Sequence, residues 1–295
     1  MAILEADRRA DQSTDTAQSR ITDRLTTEIV IGVLFAALVI GLLIFRPLLT
    51  THDPMQGDLL LRFQPPGTEN HWLGTDELGR DIWSRVLAGL QWSMSAAVTA
   101  TLIAFSIGTL LGLLAARFPG FVRTIIRQSI DTVLSFPGLI VAICIIAVFG
   151  QGFQQLVLTL GFLSWPVFAR VVYAEALSLL EREYVLSAQL IGVNRLIILY
   201  RHVLPGLRAT LMVMLAFHFA DMLIAESALS FLGIGAPLGE PTWGNMLAAS
   251  RDKLFQAPWM MLVPASAIVL AVVTANLVGD GIATVSRRLG KGIDL

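Results

Sequence analysis

Charge is scarce in this chain. Of 295 residues only 15% are Asp, Glu, Lys or Arg, while 55% are hydrophobic and the mean hydropathy is +0.71. The water-facing surface of a soluble chain needs more charge than that. The two signs nearly cancel, 21 basic against 22 acidic residues, so no global field attracts nucleic acid, and no nucleic-acid partner is expected. One cysteine, Cys144, excludes a disulfide framework and any zinc site built from several thiolates; its place inside an apolar run reads as a core position. The four histidines, His52, His71, His202 and His218, are widely spaced and form no H-E-x-x-H step, which argues against a zinc metalloenzyme. A phosphate loop, G-x-x-x-x-G-K followed by Ser or Thr, is also lacking: Gly290, Lys291 and Gly292 have neither the loop length nor the hydroxyl. The chain is therefore not itself an ATPase.

What is abundant is uninterrupted hydrophobicity. Charge-free stretches run from Ile29 to Phe45 (17 residues), Val86 to Ala116 (31), Thr132 to Ala169 (38) and Leu254 to Gly279 (26). About 20 helical residues cross a bilayer core, so the longest stretch holds two spans, divided at the polar, turn-forming run Gly150, Gln151, Gly152, Phe153, Gln154, Gln155. A further apolar segment from Pro205 to Leu232 contains His218, Asp221 and Glu226. The expectation is an all-α membrane protein with six transmembrane helices, near 28–49, 91–116, 128–149, 156–176, 206–232 and 258–284. Continuous rather than alternating runs disfavour a β-barrel. With a cytoplasmic N-terminus the segments facing the cytoplasm hold 15 Lys and Arg and the external ones 6. Both termini are thus expected inside. Mixed-charge residues precede the first run and no small-residue cleavage site follows it, so it reads as a retained span rather than a removed leader. Residues 1–27 read as a disordered cytoplasmic tail, 28–90 as the first span with an external loop, 91–285 as the core and 286–295 as a cytoplasmic tail.

Between spans one and two, His71 to Asp81 reads HWLGTDELGRD. Thr75 or Asp76 is a candidate helix N-cap, Leu78, Ile82, Val86 and Leu90 follow at helical spacing, and Asp76 with Arg80 and Asp81 with Arg85 are opposite charges four apart. The spacing predicts an external amphipathic helix that either fixes the loop or serves as a gate or docking element at Asp76, Arg80 and Asp81. Between spans four and five, Leu186, Leu190, Val193, Ile197, Tyr200 and Leu204 step by four and three, which predicts one helical stripe near 184–200. That stripe packs either on the bundle itself or into a groove on a soluble partner. Inside the spans, His218 and Asp221 stand three apart where they could pair. With Glu226 they line a translocation path or pair between helices, since ionisable groups in a bilayer are costly. Asp131, four after Arg127, reads as a local ion pair, and Asp280 as lying near Arg287 and Arg288. Gly108 and Gly112 form a small-x-x-x-small step, followed by Ala115 and Ala116, suited to close helix packing.

These residues resemble a known family. The loop at Ala188, Gly192, Leu204 and Pro205 is similar to the E-A-A-x3-G-x9-I-x-L-P loop of permeases of ATP-driven importers, with Leu186, Ser187 and His202 departing from it. HWLGTDELGRD with Ser84 and Arg85, Asp131 with Pro137, Glu183 and Tyr184 and HVLP at His202 to Pro205 resemble the dipeptide, oligopeptide and nickel branch. So do Glu226 with LSFLG at Leu229 to Gly233, PTWG at Pro241 to Gly244, and Asn276 to Gly281. The resemblance covers about residues 60–290. It implies a permease subunit in a bacterial inner membrane that forms half of a pore for dipeptides or oligopeptides. Nickel or another metal chelate is the alternative substrate. It further implies a second homologous permease subunit, two ATP-binding subunits and an external solute-binding protein. Coupling would run through the helix carrying Ala188, Leu190, Gly192, Val193, Leu204 and Pro205. No cofactor or metal is expected on this chain; ATP and Mg belong to the ATPase subunits. From other classes, a proton-coupled secondary transporter would use Asp221 and Glu226, but no inverted repeat is visible. An intramembrane aspartyl protease fails because Leu277 stands where its G-x-G-D step needs Gly. A membrane scaffold is compatible with hydropathy alone.

Overall fold

The computed structural model describes residues 36–68 and 70–291, together with Gly32 and Leu34, and side chains as far as Val285. The expected N-terminal tail, the start of span one and the last residues lie outside the described ones. Among the described residues the regular structure is helical, with only two isolated β-bridges. In chain order the helices are α1 (Ala36–Leu49), α2 (Ile82–Arg117), α3 (Phe121–Leu134), α4 (Gly138–Phe149) and α5 (Phe153–Leu180). Then follow α6 (Glu183–Leu190), α7 (Arg195–Ile198), a π turn (Leu199–Val203), α8 (Leu204–Phe231), α9 (Trp243–Ser250) and α10 (Trp259–Lys291). Among the described residues four helical stretches are long and apolar enough to cross a membrane: α2, α5, the run Arg195–Phe231, and Trp259–Val285. The pair α3 and α4 makes a fifth if counted as one broken span, and α1 is a shorter apolar helix.

The bundle is organised by α2 and α5, which run parallel and side by side. Gly161 faces Ala100 and Ile103, Gly108 faces Trp165 and Phe168, and Gly112 faces Ala169 and Val172. A Cβ on Gly108 would stand 2.4 Å from the Trp165 carbonyl oxygen and 2.5 Å from the Phe168 Cβ, so only glycine admits this approach. Ala96, Ala97, Ala100, Ala104 and Ala115 continue the strip of small buried side chains along α2. The spacing of Gly108 and Gly112 therefore does what it predicts, letting two backbones come together where lipid offers no hydrophobic driving force. Helix α8 lies antiparallel to this pair, with Glu226 and Ser230 at the end where α2 begins, and α10 packs along α8.

Connections at the two ends are correspondingly distinct. At one end Gln151 Nε2 donates to Gly233 O at 2.6 Å, Trp259 Nε1 to Thr75 O at 3.2 Å and Trp243 Nε1 to Val86 O at 3.1 Å. These bonds gather the α1–α2 segment, the α4–α5 turn and the α8–α10 connection. At the other end the α2–α3 turn is closed by Arg123, which donates to the orphan carbonyls of Ala115 and Ala116 at 3.0 and 3.1 Å. The α5–α8 connection lies at that same end, with Leu179 against Gly206.

Three expectations are corrected here, and one element is added. Span three is bent by 87° between α3 and α4. Pro137 caps α4, offers no N–H to continue α3, and forces Phe136 out of helical geometry. No separate surface helix begins at Thr75 or Asp76: α2 starts at Ile82, because Asp81 is the N-cap and accepts from Ser84 N. Cys144 is exposed rather than in the core. Finally, α9 was not anticipated; Thr242 caps it, its hydroxyl accepting from Asn245 N, and Trp243 anchors it in the core.

Replacing Gly108 by Ala is predicted to destabilise the bundle by about 1–3 kcal/mol, because backbone rather than a flexible side-chain end meets the new methyl. Gly41→Ala, with nothing within 4 Å, should be neutral or slightly stabilising. Thermal unfolding of the two variants in detergent distinguishes them.

Candidate functional site

The α5–α8 connection is a two-helix elbow rather than the single helix the stripe predicted. Helix α6 stops in a Schellman motif: Gly192 N donates to Gln189 O at 3.0 Å and Val193 N to Ala188 O at 3.1 Å, with Gly192 at φ +87°. Asn194 then starts α7, its side chain accepting from Leu196 N at 2.9 Å. Pro205 sits in the first turn of α8, where its missing N–H costs little, and the chain widens into the π turn just before it.

The elbow has an anchored side and a bare side. Val185, Ala188, Ile198, Leu199 and Val203 are buried, most of them in one cluster with Phe168, Val172 and Ala176 of α5 and Leu207 of α8. Val193 and Leu204 pack against the same cluster. On the other side Leu190 is 89% exposed and Ile191 83%, with Leu186, Ile197 and Tyr200 also exposed. Of the residues expected to couple, Ala188, Val193 and Leu204 thus support the elbow from within, while Leu190, Gly192 and Pro205 face outward. Ile191 escaped the sequence reading because the stripe was counted straight through Gly192; the Gly192 and Asn194 pair, a stop followed by a start, was the signal for it.

His218, Asp221 and Glu226 of α8 are separated. His218 is buried against the edge of the Phe168 ring at a centroid distance of 4.9 Å, its Nε2 without a hydrogen-bond partner. Asp221 is exposed beside Phe217 and Ile224 and makes no ion pair among the described residues. His218 and Asp221 therefore do not pair, since the imidazole enters the seam with α5 while the carboxylate points away from it. Glu226 is fully buried. Ser230 Oγ donates to it at 2.9 Å and Ser227 Oγ at 3.2 Å, and Ser230 Oγ also accepts from Ala236 N at 3.3 Å. The Ser230 bonds fasten the turn that follows α8. Asp131 bonds Arg170 of α5 at 3.0 Å instead of Arg127, whose guanidinium lies near the Tyr173 ring. Asp280 is exposed; the side chains of Arg287 and Arg288 lie outside the described ones.

The α1–α2 segment folds as a knot around Asp76. One carboxylate oxygen accepts from Leu78 N at 2.8 Å and Arg80 N at 3.0 Å, while the other meets Arg80 Nε at 2.7 Å and Arg85 Nε at 3.6 Å. Asp76 and Arg80 pair as expected, but in a turn. The expected Asp81–Arg85 pair is absent because Asp81 is engaged elsewhere: Oδ2 accepts from Ser84 N at 2.8 Å and Oδ1 faces His71 Nδ1 at 2.9 Å. Arg85 donates instead to Pro54 O at 2.9 Å. His52 stacks on His71 with centroids 4.7 Å apart, so wide spacing in sequence did not keep these two histidines apart.

Asp76→Ala leaves two buried guanidiniums uncompensated and is predicted to cost about 3–5 kcal/mol, seen as a large fall in melting temperature or loss of folded protein. The exposed pair is the contrast: Asp131→Ala should change stability by no more than about 1 kcal/mol.

The pattern of spans, elbow and knot can be set beside known proteins. A family described as "Binding-protein-dependent transport system inner membrane component" matches residues 108–289. A peptide transport system permease protein of Brucella suis is 38% identical over 252 residues, covering 85% of this chain and 84% of that one. The glutathione transport system permease protein of Pectobacterium atrosepticum is 37% identical over 249 residues, 84% of this chain and 83% of its own. The dipeptide transport system permease protein of Alkalihalophilus pseudofirmus is 34% identical over 253 residues, 86% and 83%. With most of its length matched in this way, the chain belongs to the inner-membrane permease components of ABC transporters, in the branch of these peptide permeases.

Proposed function

We propose that the chain forms half of the translocation pore of an ATP-driven importer of dipeptides or oligopeptides in a bacterial inner membrane. In this reading it pairs with a second, homologous permease subunit, receives substrate from an external solute-binding protein, and is driven by two ATP-binding subunits carrying ATP and Mg. The three relatives whose names specify peptide, glutathione and dipeptide transport support the substrate class. The excess of Lys and Arg in the segments at the elbow end supports a cytoplasmic elbow and cytoplasmic termini.

The observation that carries the reading is the bare tip of the elbow. Leu190 and Ile191 are large aliphatic side chains held almost fully exposed on a turn whose other side is locked into α5 and α8. An apolar tip of that kind gains free energy when a groove on a soluble ATPase covers it. Because Ile198, Leu199 and Val203 continue into α8, displacement of the tip moves the α8 base with it. Transport then follows by population shift: the nucleotide-closed ATPase binds the elbow position of one bundle state better than that of the other. Asp221, on the outward face of α8, fits the pore side of such an assembly. A carboxylate facing lipid at that depth would cost on the order of 2.5–3.5 kcal/mol, whereas a partner subunit or a wet path relieves the cost.

The test is reconstitution of the whole transporter in proteoliposomes with Leu190→Glu and Ile191→Glu in this chain. Membrane insertion should be unchanged, and peptide-stimulated ATP hydrolysis should fall at least about tenfold, the loss expected when a buried apolar contact is replaced by charge. Full stimulation by the double variant contradicts the coupling role.

A further inference from the structure

The α1–α2 segment brings together three side chains of metal-binding type that the sequence keeps apart. One ligand atom from each of His52, His71 and Asp81 lies within 4.8 Å of the other two. His71 and Asp81 are buried and His52 is half-buried. We propose that these three side chains bind one divalent transition-metal ion, with Zn2+ as the representative species. The inference is independent of what the pore carries.

The donor set decides the class of ion. Two imidazoles and one carboxylate suit Zn2+ and its borderline neighbours, whereas Mg2+ and Ca2+ require mostly oxygen. The carboxylate is already divided between two tasks. Oδ2 holds the N-terminus of α2 through Ser84 N at 2.8 Å, which leaves Oδ1 for a metal, and Oδ1 now accepts the proton of His71 Nδ1–H in a hydrogen bond of 2.9 Å. A metal ion takes the place of that proton. His52 is the adaptable member: its ring bonds only Thr51 Oγ1, at 3.0 Å, and stacks on His71 with the planes 29° apart. Turning its nitrogen toward the other two gives up the stack but breaks no hydrogen bond to a distant residue. Its backbone is fixed meanwhile, since His52 N donates to Ser84 Oγ at 3.1 Å. The nearby guanidiniums of Arg80 and Arg85 are turned onto Asp76, at 2.7 and 3.6 Å, rather than onto Asp81. An occupied site would clasp the residues just after α1 to the first turn of α2, the same connection that now depends on the Asp81 cap and the Thr51 and Ser84 hydroxyls.

The decisive variant is His52→Ala, because the His71–Asp81 bond and the α2 cap stay intact in it and folding is preserved. Purified, untagged transporter is titrated with Zn2+ by calorimetry, and its melting temperature is followed with and without the ion. The wild-type complex should bind one more equivalent than the variant, with affinity at that site reduced by more than about tenfold in His52→Ala, and Zn2+ should raise the wild-type melting temperature alone. Bound Co2+ should give the visible absorption of nitrogen and oxygen coordination in wild type and lose it in the variant. Equal stoichiometry and equal melting shifts in the two proteins, or no saturable Zn2+ binding in either, overturn the proposal.

Discussion

The contact on which this structure depends is between two backbones. In a bilayer, apolar side chains gain nothing by leaving lipid for one another, so helices associate through close packing and hydrogen bonds. Helices α2 and α5 meet this condition through Gly108, Gly112 and Gly161 and the alanine strip from Ala96 to Ala115, which remove the side chains that would hold the two axes apart. Helices α3 and α8 pack on this pair, and α10 in turn packs along α8. Phe168 and Val172, on the α5 side of the seam, are also the residues against which the elbow buries Val185, Ile198 and Val203. The same α5 surface therefore fixes both the helix seam and the elbow.

Polar groups finish the two ends. At the knot end, Asp76 serves two arginines, Asp81 caps α2, and the indoles of Trp243 and Trp259 donate to carbonyls of the α2 region. Each buried charge has its partner, as a low-dielectric site demands. At the elbow end the polar devices are chain stops and starts: the Schellman turn at Gly192, the Asn194 cap, and Pro205 after the π turn. One end is thus tied across helices by polar bonds, while the other is a preformed turn packed by its inner side on α5 and α8, with bare Leu190 and Ile191 at its tip.

Much of this was legible in the residues. Hydrophobic blocks located the long helices, the polar run at Gly150 to Gln155 separated α4 from α5, and the spacing of Gly108 and Gly112 named the packing seam. The failures share a cause: local patterns do not say which partner a side chain will take. Thr75 or Asp76 was expected to cap the helix; tertiary demand from Arg80 and Arg85 assigns Asp76 to the knot, and Asp81 caps α2 instead. The four-three stripe ran on past Gly192 because periodicity counts residues and not the φ of a glycine. Asp131 found Arg170 across the α3–α5 contact rather than Arg127 on its own helix. His52 and His71 met because the knot folds back on itself, which no spacing rule between them expresses.

In the proposed transporter, ATP hydrolysis reaches the bundle through the elbow tip. Site-specific photocross-linking tests it most directly, with a photoreactive residue at Leu190 or Ile191 in the assembled transporter and another at Phe255, an exposed residue in the α9–α10 connection at the opposite end. Adducts with the ATP-binding subunit are expected from Leu190 and Ile191, changing in yield between nucleotide-free and ATP-bound states, and none from Phe255. Absence of an ATPase adduct at both elbow positions, or an ATPase adduct from Phe255, would contradict it.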